Sequence, residues 1–126
     1  MPIISVTSLP FSPAIDVKQL LTQLSIGFYQ QFSIDIAHIS ASWRYFEPHH
    51  YVVAGKSIEH QAIDSHPIMV ALVAPDFTNS EDIQNMMAFI ASELSSFTGV
   101  NKTNVFIEYR SAKSGWVYDK GEVVSW

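Results

Sequence analysis

The chain contains no cysteine, which removes disulfides, thiolate nucleophiles and cysteine-ligated zinc from consideration together. Charge is also scarce. Charged residues make up 15% of the sequence, and seven Lys and Arg against twelve Asp and Glu leave a net −5. A field of that sign repels phosphate polymers and anionic lipid, so neither nucleic acid nor a membrane is an expected partner. No apolar run approaches the length that spans a bilayer, and the first residues lack a basic segment leading into an apolar one. The expected setting is the cytoplasm, which also suits a chain without cysteines. The five histidines, His38, His49, His50, His60 and His66, lack the i, i+4 helical spacing of a metal pair. No metal or other cofactor is expected.

What the chain does have is apolar surface. Of its 126 residues 48% are hydrophobic, and the mean hydropathy is +0.13. That length suits one domain with a sizeable core and is short for two. The apolar fraction is high for so small a chain, so part of the surface is expected to be covered by further copies of itself.

The same residue pattern occurs twice, at an offset of 66. Ile3, Ile4 and Val6 align with Met69, Val70 and Leu72, Phe11 with Phe77, and Asp16 with Asp82. The register runs on without a gap through Leu20/Met86, Leu24/Ile90, Phe28/Leu94 and Ile34/Val100. It then pairs Trp43-Arg44 with Tyr109-Arg110 and Gly55 with Gly121. Single apolar matches come cheaply in a hydrophobic chain, but an ungapped series holding an aromatic-Arg pair and a glycine does not. One domain, 1–126, built of two pseudo-repeats, 1–66 and 67–126, is therefore expected.

Each repeat reads alike locally. Residues 2–9 and 67–74 are short apolar or β-branched runs followed by turn formers, the mark of strands. Ser12-Pro13 reads as a capping hydroxyl before a first-turn proline, and Thr78 with Glu81 as a capping box, so helices are expected to start there. Val17, Leu20, Leu21, Leu24 and Phe28 recur at spacings of three and four, as do Ile83, Met86, Met87, Ile90 and Leu94. Each helix thus carries one apolar stripe. Residues 38–46 and 104–111 alternate like strands, and a β-α-β crossover makes each parallel to the strand before its helix. Tyr51–Ala54 and Trp116–Trp126 add edge or hairpin strands punctuated by Gly55, Gly115 and Gly121. The expected fold class is α+β: a tandem β-α-β repeat giving a four-stranded mixed sheet, both helices on one face, plus short edge strands. The bare face then calls for a symmetric partner.

Three features carry a resemblance to the tautomerase superfamily, which includes 4-oxalocrotonate tautomerase and macrophage migration inhibitory factor. They are the opening Met1-Pro2-Ile3-Ile4, the duplicated unit, and Asn104-Val105-Phe106-Ile107-Glu108-Tyr109-Arg110 followed by Trp116-Val117-Tyr118-Asp119. The chain looks closest to a bacterial two-repeat branch in which a Tyr-Pro or His-Pro step, here His66-Pro67, opens the second repeat. The resemblance implies the tautomerase fold, a homotrimer, and a pocket between subunits. It also implies an N-terminal proline, freed by removal of the initiator methionine, that moves a proton on an enol or keto acid. Pro2 is the matching position. The chemistry needs a neutral secondary amine, which desolvation favours, and Ile3, Phe106 and Trp116 are candidate pocket walls. By strand alternation Phe106, Glu108 and Arg110 share a face, and Arg110 is the candidate carboxylate anchor.

Two departures narrow the substrate. Where family members that process dicarboxylates carry an arginine after the first helix, this chain has Ser40, with Phe106 in the second repeat, which argues against dianions. Pro67–Ala74 holds no arginine, which argues against hydrolytic dehalogenation. Arg44 and Arg110 occupy equivalent places, which suits a ligand site and equally a duplicated structural ion pair. Glu108 is either solvated or the partner of such an arginine, and Trp116 and Trp126 suit a pocket or an interface. While Met1 remains attached, the Pro2 nitrogen is an amide and no base. The enzyme reading therefore stands beside a second one, a noncatalytic trimeric scaffold or small-molecule binding protein.

Overall fold

The computed structural model describes residues 1–126. The chain opens with strand β1 (Ile3–Ser8), helix α1 (Val17–Phe32), a single 3-10 turn at Ile36–His38 and strand β2 (Ser40–Tyr45). A small hairpin follows, β3 (Val52–Val53) and β4 (Lys56–Ser57). The second half repeats the order with β5 (Ile68–Pro75), α2 (Ser80–Thr98), a 3-10 turn at Lys102–Asn104 and β6 (Val105–Ala112). A second hairpin, β7 (Val117–Asp119) and β8 (Glu122–Val124), ends the chain. This is the α+β architecture expected from the sequence. No helix is long and apolar enough to cross a membrane.

The four long strands form one sheet in the order β2-β1-β5-β6. The outer pairs are parallel, as crossovers require, and the central pair β1/β5 is antiparallel. Ser5 lies opposite Ala71, the residue that holds its own place in the other half. A local two-fold axis therefore passes between these two small residues. It follows that whatever one half presents at an end of the sheet, the other presents at the opposite end.

Alternation decides the two faces. Ile4, Val6 and Ser8 of β1 and Ile68, Val70, Leu72 and Ala74 of β5 are buried, and the residues that alternate between them are not. Onto that face pack Leu20, Leu24 and Phe28 of α1 with Met86, Ile90 and Leu94 of α2, each set at four-residue spacing. Ser8 and Ala74 apart, these groups make with Val100 one core of twelve buried residues drawn from both halves. Burying a side chain of that size contributes about 1.5–3 kcal/mol. The chain's one ion pair, Arg110 with Glu108, is exposed, and such pairs contribute about 0–1 kcal/mol. Stability rests on the core. The helices approach closely at Gly27, where a Cβ would come within 2.8 Å of the Phe89 ring. That ring also packs edge-on to Phe28 and Phe32.

Both helices begin later than Ser12 and Thr78. At α1 the cap is Asp16, whose carboxylate accepts from the Gln19 amide at 3.0 Å. Leu9, Phe11 and Ile15 are buried or packed on the core first, so the chain reaches the helix axis only after them. At α2, Thr78 instead closes a turn onto the Pro75 carbonyl at 3.0 Å. Asn79 takes the cap, accepting from the Asp82 amide at 2.8 Å and donating to its carboxylate at 3.1 Å. The strands expected from 38 and 104 likewise begin at Ser40 and Val105, because the 3-10 turns consume the preceding residues. In the first of these the Asp35 side chain accepts from the Ala37 amide at 3.0 Å.

Corresponding ends of the two helices also share a left-handed cap, Ser33 at φ 53° and Gly99 at φ 79°. An L residue is strained in that conformation, by about 1–2 kcal/mol, and glycine is not. No atom lies within 4 Å of a Cβ built on Gly99, so strain alone decides there. Ser33→Gly is expected to stabilise the protein by about 0.5–1 kcal/mol and Gly99→Ala to destabilise it by about 1 kcal/mol in urea unfolding.

Candidate functional site

The N-terminus enters the sheet between β2 and β5. The Ser40 amide donates to the Pro2 carbonyl at 3.1 Å, which fixes Pro2 against the start of β2. Two residues before Ile4, the Pro2 side chain is fully buried, on the helix-facing side that strand alternation assigns it. Met1 and Ile3 then turn to a pocket of about 310 Å3. Its remaining walls are Ala37–Ser40, at the 3-10 turn and the head of β2, and Val117–Lys120 of the second hairpin.

The hairpin is held there from its base. The Ser114 hydroxyl donates to the Trp126 carbonyl at 3.1 Å and accepts from the Trp126 amide at 2.8 Å. The Trp126 indole donates to the Asp76 carboxylate at 2.7 Å and packs edge-on against Phe77. Lys120 and Gly121, at φ 52° and 86°, form the two-residue turn at the tip. Positive φ at both central positions is the hairpin geometry that matches strand twist. Ala54 and Gly55, at 52° and 75°, repeat it in the first half.

The pocket acts on the terminal amine. Burial among these walls lowers the pKa of the Met1 ammonium below its ordinary value of 8.0, and the nearby Asp119 carboxylate pulls it partly back up. Desolvation is the larger influence, so the site favours a neutral amine. A neutral amine in an apolar cleft can take a proton from carbon or oxygen. No group of three or more His, Asp or Glu side chains converges anywhere in the chain.

The opposite end of the local two-fold is closed. There the chain runs on through His66 and Pro67, and His66 is buried. Its Nε2 donates to the Lys56 carbonyl at 2.8 Å, while the Tyr51 hydroxyl donates to the Pro67 carbonyl at 2.9 Å. Asn104 is the counterpart of His38, and its amide ties down the carbonyls of Ala62 and Ser65 at 3.2 and 2.8 Å. The connecting segment thus fills the space that stays open at Met1.

The other residues singled out in the sequence lie elsewhere. Phe106, Glu108 and Arg110 share the uncovered face of β6, as alternation predicts, and line a separate concavity of about 200 Å3 with Ser5, Thr7 and Met69. Arg110 is two strands from Ile3, through Val73, roughly 10 Å across the sheet. Phe106 is four residues further back, about 13 Å along the strand. The Arg110 Nε donates to the Glu108 carboxylate at 2.8 Å, so Glu108 is an arginine's partner. Arg44 is exposed opposite Thr7, at the end of β2 away from Pro2. Trp116 is 79% exposed, and the Lys113 ammonium lies 4.5 Å from its ring centroid. Within one chain, none of these five residues lines the pocket at Met1.

Of the residues that do line it beside Ile3, Tyr118 and Asp119 belong to the Trp116–Asp119 segment that carries the resemblance, while His38 and Lys120 stood out as no site candidates. A signal was present in Val117-Tyr118 and Val123-Val124 flanking Asp119-Lys120-Gly121-Glu122, a two-residue turn between short apolar segments. Where that hairpin would land was not written in it.

No family model matches the sequence, and no curated protein matches it. Solved structures do match the fold. Pt0534, in a structure inactivated by 2-oxo-3-pentynoate, superposes with a TM-score of 0.78 at 17% identity, covering 98% of this chain and 94% of that one. A fused 4-OT, described as a symmetric trimer, gives 0.79 at 15% identity, covering 97% and 94%. Macrophage migration inhibitory factor from Oncomelania hupensis gives 0.77 at 11% identity, covering 99% and 83%. The chain has the tautomerase fold. In this instance of the tautomerase fold, the N-terminal amine sits at the end of a central strand, between the head of β2 and the tip of the last hairpin.

Asp119 raises the amine pKa, so removing its charge leaves desolvation unopposed. In Asp119→Asn the terminal amine is expected to deprotonate at lower pH than in the wild type. The midpoint of its acylation rate against pH, followed by intact mass, measures this; a midpoint that stays or rises would contradict the assignment.

Proposed function

We propose that this chain, once Met1 is removed, is a tautomerase or isomerase that moves a proton on a small enol or keto monoacid. Pro2 is the general base. The observation that carries this reading is the pocket at the N-terminus, whose walls desolvate the Met1 amine and lower its pKa, and beside which the Pro2 nitrogen would become the terminal amine. Removing Met1 would convert the Pro2 amide into a secondary amine already anchored through its carbonyl to Ser40. The inactivation of Pt0534, which shares the fold, by a small 2-oxo monoacid supports the substrate class. Arg110, with Phe106, Glu108 and Trp116, or alternatively Arg44, then serves as substrate contact from a neighbouring copy, since these side chains are exposed on the uncovered face or the second hairpin.

The reading includes a cytoplasmic homotrimer, each copy one domain of two pseudo-repeats. Fused 4-OT, described as a trimer, shares the fold, and exposed Phe106, Trp116, Tyr118 and Val123 are apolar surface for a neighbour to cover. A specific observation also favours the second reading, a noncatalytic scaffold or binding protein. With Met1 attached, the Pro2 nitrogen is an amide beside a fully buried ring and is itself no base.

Intact mass of the protein from its native host separates the two, because the enzyme reading requires chains that begin at Pro2. For such chains, ketonisation of phenylenolpyruvate should fall at least about tenfold in Pro2→Ala, since positioned general bases contribute roughly 10²–10⁴ and alanine still leaves a primary amine in place. Equal rates would leave the proline without a role. Sedimentation equilibrium at micromolar concentration is expected to give a trimer, and a monomer would remove the inter-subunit contacts from the mechanism.

A further inference from the structure

The last hairpin is the most weakly anchored wall of the N-terminal pocket. β7 and β8 pair with each other and add no strand to the main sheet. They are three residues each, and an isolated hairpin of that size is marginal in water. Burial adds little, since Trp116, Tyr118 and Val123 are exposed. The Gly115 amide donates to the Val124 carbonyl at 2.9 Å, and Ser114 bonds to Trp126, so these contacts stay within the hairpin and its base. One hydrogen bond leaves the segment 114–126 for the body of the protein: the Trp126 indole N–H donates to the Asp76 carboxylate at 2.7 Å, with the ring packed on Phe77. Asp76 is a firm anchor, because its own amide donates to the Ala112 carbonyl at 2.9 Å just past the end of β5. That end lies beside the start of β1, where Ile3 is opposite Val73, so the anchor and Met1 share one end of the sheet.

We propose that Trp126 is a positioning residue for the N-terminal amine: its bond to Asp76 holds Val117–Lys120 against Met1. The titratable side chains at the pocket come from two elements, His38 from the first 3-10 turn and Tyr118, Asp119 and Lys120 from the hairpin. Releasing the bond therefore removes cover from the amine and takes the Asp119 carboxylate away in the same movement. The two losses act on the amine in opposite directions, and the loss of cover is the larger. A part for Trp126 in proton transfer rests on the tautomerase reading; the enclosure of the amine does not. Anchor and hairpin belong to one chain, and a neighbour seated on the hairpin's exposed side, as in the proposed trimer, does not replace the bond.

Trp126→Phe keeps a ring for Phe77 and removes the donor. Pulse acylation across pH, read from the mass of the N-terminal peptide of the full chain beginning at Met1, gives the midpoint at which the amine deprotonates. That midpoint is expected to rise toward the ordinary 8.0 in Trp126→Phe and in Asp76→Ala, and to stay near wild type in Asp76→Asn, which keeps an acceptor. The fall expected of Asp119→Asn should shrink in the Trp126→Phe background, because the carboxylate has already left the amine. In hydrogen exchange the Gly115 amide should exchange about tenfold faster in Trp126→Phe, the effect of losing one bond to a charged acceptor. Amides of β1 and β5 should keep their protection. The proposal is overturned if the midpoint in folded Trp126→Phe stays or falls, or if Asp119→Asn shifts it there as far as in wild type. It is equally overturned if Asp76→Ala matches wild type, or if β1 and β5 lose protection together with Gly115, which would make Trp126 a general support of the fold. Neither readout involves turnover, so this result and the Pro2→Ala rate can fail independently.

Discussion

The antiparallel pairing of β1 with β5 is the constraint on which the rest of the molecule depends. With Ser5 against Ala71, each core-facing residue of one central strand meets a core-facing residue of the other: Ile4 meets Leu72, and Val6 meets Val70. A slip of one residue would turn one strand's apolar set toward solvent. Both crossovers must then return on the same side, which stacks α1 against α2 and leaves the other face of the sheet bare. Small residues at the axis let the two halves meet without a bulky side chain at their centre.

Symmetry of that kind makes two equivalent ends, and the chain treats them differently. One end receives a strand that begins there, so a terminal amine and a cleft remain. The other receives a strand that continues from a linker, and Gln61, His66 and Asn104 spend their polar groups on stitching that linker down. Gln61 reaches back to the first half as well, accepting from the Leu9 amide at 3.1 Å. The buried polar groups are all partnered, so the closed end is a finished piece of structure. A doubled scaffold has thereby kept one open terminus.

How much of this was legible in the sequence follows from what each element depends on. The apolar stripes of Leu20, Leu24 and Phe28 and of Met86, Ile90 and Leu94 could be read because burial imposes the helical period directly on residue type. The strands could be read because alternation does the same. Capping could not be located as well: Ser12 and Thr78 have suitable hydroxyls, but Phe11 and Ile15 must reach the core before α1 can begin, and Thr78 is taken by a turn. The pairing of Arg110 with Glu108 was one of two open alternatives, since i, i+2 on a strand puts both side chains on one face. The pocket was the least legible part. His38 meets Met1 because the crossover returns β2 beside β1, and Lys120 because the last hairpin folds back across the sheet end, and no local pattern states where a hairpin lands.

Trp126 ties the last residue of the chain to Asp76, and through Ser114 to the base of the hairpin whose tip borders Met1. The two termini are therefore mechanically linked. Anything fused after Trp126 pulls on the strut that holds the pocket's outer wall, and anything left before Pro2 fills the pocket's floor. A purification tag at either end of this protein therefore bears directly on the pocket at Met1.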